Sequence, residues 1–154
     1  MPVLHLTTII HAPVQRCFDL CRSVEVHMAS TAHTNEKVIA GKMKGLCEHG
    51  DQITWEAKHF GIVQQLSVEI TQMQPYSYFQ DKMVKGAFKY FTHDHFFEPA
   101  DGHCIVRDVF NYAAPLGILG RIIESSFLNS YMYQLLQTRN AVIKRLAESD
   151  WSPG

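Results

Sequence analysis

Residues 115–148 read PLGILGRIIESSFLNSYMYQLLQTRNAVIKRLAE, and within them Ile118, Leu119, Ile122, Ile123, Phe127, Leu128, Tyr131, Met132, Leu135, Leu136, Val142, Ile143 and Leu146 follow a helical period. A helix of roughly 30 residues would be about 45 Å long at 1.5 Å per residue, with an apolar stripe that must be covered. The preceding stretch supplies the cover. From Glu36 to Ala114 the apolar period drops to about two, and turn signals recur at Gly50-Asp51, Phe60-Gly61, Gln74-Pro75, Lys85-Gly86 and Asp101-Gly102. That pattern predicts six antiparallel strands in a meander. Val3 to Ile10 reads as a seventh strand, stopped by Ala12-Pro13, and Val14, Cys17, Phe18 and Cys21 mark one face of a following helix. A second short helix is expected over Val24 to Ser30. Both pieces are too short to cover the long helix, so the concave face of the sheet is its expected partner. The predicted architecture is α+β, a curved seven-stranded antiparallel sheet wrapped on one long C-terminal helix, with two short helices after strand 1.

Composition narrows the function. The chain has 154 residues, 46% of them hydrophobic, enough for one cored domain over 1–154 with a loose tail at 149–154. Fourteen Lys and Arg against fifteen Asp and Glu give a net charge of −1, which supplies no basic field for nucleic acid. Every apolar run meets a charge, Pro or Gly before it reaches the roughly 20 residues of a membrane span, and the first ten residues lack a cationic leader. A cytoplasmic location is therefore expected. Cys17, Cys21, Cys47 and Cys104 form no Cys-x-x-Cys pair and read as reduced thiols. Cys17 and Cys21, one helical turn apart, are expected as apolar filler rather than soft-metal ligands.

Strand register decides which polar groups point inward. A two-residue turn at Asp101-Gly102 pairs residues whose numbers sum to 203, so His95 opposes Asp108 and His93 opposes Phe110; a four-residue loop shifts the sum to 201 and sets His93 opposite Asp108, with the faces unchanged. One face then collects Phe91, His93, His95, Phe97, Val106, Asp108, Phe110 and Tyr112, which should face the helix. The other carries Asp94 diagonal to Arg107 and suits water. The same arithmetic at Phe60-Gly61 pairs Trp55 with Leu66 and puts His59 on the inner side. Placing Phe79 and Met83 inside brings Asp81 with them, near His93.

Ionisable groups in an apolar interior are costly unless they pair, coordinate something or line a wet cavity. His93 and His95 on one strand face could chelate a metal, with Asp108, Asp81 or His59 as third ligand. No local spacing fixes that third ligand, so neither a metal nor another cofactor is expected. A His–Asp pair could instead act as general base and orienter. The preferred reading is a buried hydrogen-bonded pair that lines a ligand pocket without chemistry. Gly117 and Gly120 carry no phosphate-loop lysine and should let the helix start approach the sheet.

The succession of strand, Ala12-Pro13-Val14 helix, Gly50-Asp51-Gln52-Ile53-Thr54-Trp55, Asp81-x-Met83-x-x-Gly86-x-Phe88, His93-x-His95-x-Phe97, Asp108, Pro115-Leu116-Gly117 and a long final helix resembles the SRPBCC, or START-like, superfamily. The likeness spans about residues 3–148 and is nearest to small bacterial proteins that are polyketide-cyclase-like or labelled cell-division inhibitors. It implies the helix-grip fold of the birch-pollen allergens, with an elongated apolar cavity between last helix and sheet. The expected function is binding of a small hydrophobic or amphipathic molecule by Trp55, His59, Asp81, Phe91, His93, His95, Phe97, Asp108, Phe110, Tyr112 and Tyr131. One alternative is a cyclase- or dehydratase-type enzyme using His93 or His95 as base, Asp108 as orienter and Asp81 as acid. A second is a protein-interaction module linked to cell division.

Overall fold

The computed structural model describes residues 3–113 and 125–152. Strand β1 (Val3–Ile10) leads into helices α1 (Val14–Cys21) and α2 (Val24–Ser30). The meander β2 (Lys37–Gly41), β3 (Gln52–His59), β4 (Ile62–Gln74), β5 (Tyr78–Lys85), β6 (Tyr90–Ala100) and β7 (His103–Ala113) follows, and α3 (Ser125–Ala147) ends the fold. The sheet order is β1-β7-β6-β5-β4-β3-β2, antiparallel throughout. Helix α3 covers 23 residues, about 35 Å. The expected start at Ile118 to Ile123 and the close approach expected at Gly117 and Gly120 lie outside the described residues. Among those described, no helix is long and apolar enough to cross a membrane.

Local chemistry explains the breaks. Pro13 caps α1 from extended backbone, one residue before the helix begins. The Ser23 hydroxyl accepts from the Val26 N–H at 3.2 Å and starts α2. Register shifts between β2 and β3 and twice between β4 and β5 bend the sheet into a trough. Just past the first shift, at the end of β2, Gly41 has φ +80°, and a Cβ there would sit 2.1 Å from the Gln52 carbonyl oxygen, so only glycine fits.

Both hairpin registers are those of the two-residue turns: His95 opposes Asp108, His93 opposes Phe110, and Trp55 opposes Leu66. Burial alternates along β6 and β7 accordingly. The outer face differs in one detail. Arg107 lies opposite Phe96, with Asp94 and Glu98 equally diagonal, and it pairs with Glu98 at 2.6 Å. Asp94 instead accepts from the Tyr78 hydroxyl and, at 2.8 Å, from Gln80 Nε2.

One expectation about how the last helix is covered needs correction. Helix α3 does not rest on the sheet alone, because α1 and α2 also pack against it. Short helices suffice there because they need cover only part of α3. At the end of α3, Arg16 donates to the carbonyls of Leu146, Ala147, Ser149 and Trp151 at 2.8–3.0 Å. A cation against the orphaned carbonyls at a helix C-terminus satisfies both their hydrogen-bonding capacity and the helix dipole.

Candidate functional site

Helix α3 leaves a cavity of about 280 Å³ over the trough. Its wall is mainly apolar, with Trp55, Leu66 and Phe79 from the sheet, Phe91 and Phe110 from β6 and β7, and Met132 and Leu135 from α3. Phe60 lines it while remaining 49% exposed, which places that ring at the opening. Phe60 lies against Tyr131 and Phe127 of α3, with ring centres 4.6 and 5.8 Å apart.

A polar cluster interrupts this wall. His93 and His95 stack with centres 3.8 Å apart, and Phe79 stacks on the far side of His95 at 4.1 Å. Behind them Asp108, 1% exposed, accepts from His93 Nε2 at 2.8 Å on Oδ1 and from Asn140 Nδ2 at 2.7 Å on Oδ2. His95 Nε2 donates to Asp81 Oδ2 at 2.9 Å, and its Nδ1 lies 3.2 Å from Asp108 Oδ1. That contact lacks hydrogen-bond geometry, which leaves His95 Nδ1 a buried nitrogen without a satisfying partner. Arg139 of α3 donates to Asn140 Oδ1 at 3.0 Å and holds its guanidinium 3.9 Å from Asp108.

The electrostatics follow from this packing. Burial alone would raise Asp108, yet the hydrogen bond from His93 and the close approach of His95 outweigh it and hold the carboxyl well below its ordinary value. Asp81 is likewise lowered, its burial outweighed by His95. Burial also pushes His95 down, but the two carboxylates win and its pKa is raised; His93, dominated by burial and by its neighbour His95, is lowered. Both aspartates are thus acceptors only, so His93 and His95 each carry a proton on Nε2. Asp81 is ill suited to the general-acid part expected of it.

A second polar group lies on the same cavity wall. His27 shares a short hydrogen bond with Glu36 and stacks on Trp55 at 4.1 Å, while His59 Nδ1 shares a 2.5 Å hydrogen bond with the Tyr131 hydroxyl. Burial would raise Glu36, but His27 outweighs it and lowers the carboxyl; burial also lowers His59, against the pull of Glu36. Histidine in an unfolded chain titrates near 6.5. Below that value the unfolded state binds more protons than the folded one, so stability falls with falling pH. His59→Gln is expected to flatten that part of the profile, read by urea unfolding across a pH series.

Of the residues expected to line a pocket, Trp55, His59, Asp81, Phe91, His93, His95, Phe110 and Tyr131 surround this cavity. Phe97, Asp108 and Tyr112 do not. Phe97 sits where α1 covers the sheet, against Phe18 at 5.2 Å. Asp108 is a second tier beneath the imidazoles, and the Tyr112 hydroxyl donates to Asn129 of α3. Sequence reasoning put Phe79 on the inner face without assigning it to the pocket, and missed Glu36, His27 and Arg139. Arg139 carried a signal: it falls between Leu136 and Ile143 in the apolar stripe of α3. The four cysteines are buried free thiols, and burial pushes Cys21 and Cys47 up to about 12.

No protein-family model matches the chain, and no curated protein matches it in sequence. Solved structures do match in shape. A Thermus thermophilus protein superimposes with a TM-score of 0.72 at 15% identity over 95% of this chain and 99% of its own. A Chromobacterium violaceum protein gives 0.70 at 12% identity over 96% and 98%. The major latex-like protein 151 of Panax ginseng gives 0.68 at 16% identity over 95% and 97%. Together with the seven-stranded trough closed by α3, these matches show that the chain has the helix-grip fold.

Proposed function

We propose that the protein binds a small hydrophobic or amphipathic molecule in the cavity between α3 and the sheet. The apolar body would lie against Trp55, Phe91 and Phe110 and the polar end against Asp81, His93 and His95. One observation carries this reading: an apolar chamber of about 280 Å³ is interrupted by an anchored imidazole–carboxylate cluster, the composition of a ligand site rather than of a packed core. The half-exposed Phe60 marks the way in.

Native mass spectrometry of freshly purified protein and a thermal-shift screen of lipids and aromatic compounds test it. A ligand at a hundred times its Kd stabilises by about 2.7 kcal/mol. In a chain of this size that is a rise in Tm of roughly 5–10 °C. No co-purifying compound and no shift across the library would defeat the reading.

A second reading is favoured by the geometry of His93. Its Nε2–H is committed to Asp108, so the Nδ1 lone pair is free to take a proton, with the aspartate fixing the tautomer. This is the arrangement of a general base in a cyclase- or dehydratase-type reaction, with His95 rather than Asp81 as proton donor. His93→Gln and His95→Gln separate the two: a binding protein keeps most ligand affinity, whereas an enzyme loses turnover.

A further inference from the structure

We infer that Asp81, His93 and His95 bind a divalent transition-metal ion at the polar end of the cavity, through one nitrogen of each imidazole and a carboxylate oxygen of Asp81. The three residues come from adjacent strands. Asp81 on β5 is the ladder partner of His93 on β6, and His95 stands two residues further along the same face. One donor atom from each lies within 4.8 Å of the other two. The His95 Nε2 to Asp81 Oδ2 distance of 2.9 Å is close to the roughly 3.3 Å edge of a tetrahedron built from 2.0–2.1 Å metal–ligand bonds. Two imidazoles and one carboxylate suit Zn²⁺, Fe²⁺ or Co²⁺; Mg²⁺ and Ca²⁺ favour all-oxygen sets.

The support behind the site makes the case. A histidine that ligates a metal usually donates its other ring N–H to a carboxylate, which fixes the tautomer and raises ligand basicity. Asp108 holds that position for His93 at 2.8 Å and stands 3.2 Å from the Nδ1 of His95. Asn140 fixes Asp108 in turn, and Phe79 and His93 clamp His95 between their planes. With its Nε2–H on Asp108, His93 offers Nδ1. A plain ion pair of His95 with Asp81 would use neither that lone pair nor the second buried imidazole, whereas a metal uses both. It also settles the third ligand, since His59 is engaged with Tyr131 and Asp108 lies behind the rings. Three protein ligands leave coordination positions open towards the cavity.

The test is titration of the chelator-treated full chain with Co²⁺ alone, read by ligand-field absorption. The expected result is a saturating spectrum at one ion per chain that Zn²⁺ displaces. His93→Gln and Asp81→Asn should each weaken Co²⁺ at least tenfold, and exchange of the exposed His49, His49→Gln, should leave it unchanged. Near-UV circular dichroism checks that the variants fold. If His93→Gln does not fold, Asp81→Asn decides alone, because the Asp81 side chain is 21% exposed and tolerates the exchange. Absence of a spectrum at millimolar Co²⁺, or an undiminished one in both variants, overturns the inference. The thermal-shift screen repeated on metal-free protein reports the organic ligand separately, so either reading can fail without the other.

Discussion

Asp108→Ala is expected to cost about 3–5 kcal/mol of stability, because removing one member of a buried charged network strands the others. The carboxylate faces four groups at once: it accepts from His93 and Asn140, while His95 Nδ1 and the Arg139 guanidinium stand 3.2 and 3.9 Å away. Alanine offers none of them an acceptor, and the 1% exposure of Asp108 admits no solvent in its place. In a chain of this size each kcal/mol moves Tm by about 2–4 °C, so thermal and urea unfolding both resolve the loss. Asp108→Asn should cost less. Rotated so that its oxygen faces Asn140, the new amide presents an N–H to His93 Nε2, which must then become an acceptor. The expected signature is a switch of His93 from the Nε2–H to the Nδ1–H tautomer in ¹⁵N spectra, together with loss of Co²⁺ affinity. A loss below about 1 kcal/mol for the alanine variant would mean that water replaces the carboxylate, against the enclosed geometry.

Why Asp108 was found at sequence level and Arg139 was not is a matter of periodicity. A strand has a side-chain period of two, so one turn assignment at Asp101-Gly102 fixes the facing of every residue from Tyr90 to Ala113. That placed His93, His95 and Asp108 on one face, and Phe60-Gly61 did the same for Trp55 and His59. Depth is not encoded this way. Phe97, Asp108 and Tyr112 share the inner face with the lining residues, yet α1 covers one, the imidazoles cover another and Asn129 seals the third. Which inward side chain meets a void depends on where helices lie across the trough, a tertiary property. The stripe of α3 places Arg139 inward between Leu136 and Ile143, but what that guanidinium faces stays hidden until the opposing carboxylate is known. His27 and Glu36 meet across a 3-10 turn at Ala32–Thr34, a connection with no period at all.

Phe79→Ala joins the stability of the fold to the chemistry of the cavity and is the second large effect expected. The ring is 2% exposed, stacks on His95 at 4.1 Å and meets Phe18 edge-on at 5.6 Å. Truncating a buried phenylalanine costs about 3–5 kcal/mol, part from lost transfer energy and part from the void left behind. Phe79 lines an existing cavity, so its void opens into that space instead of forming a sealed pocket. The void component should therefore be recoverable by an occupant, as engineered apolar cavities bind benzene. Saturating benzene is expected to raise the Tm of the alanine variant by several degrees more than that of the natural protein. An equal rise in both would show that the ring does not border the ligand space. The transfer component is not recoverable that way, and neither is the plate that holds His95 against His93. Phe79→Ala should consequently lower Co²⁺ affinity even when benzene restores most of its stability, while Phe79→Leu, which keeps apolar bulk but no flat face, should regain stability before it regains the metal.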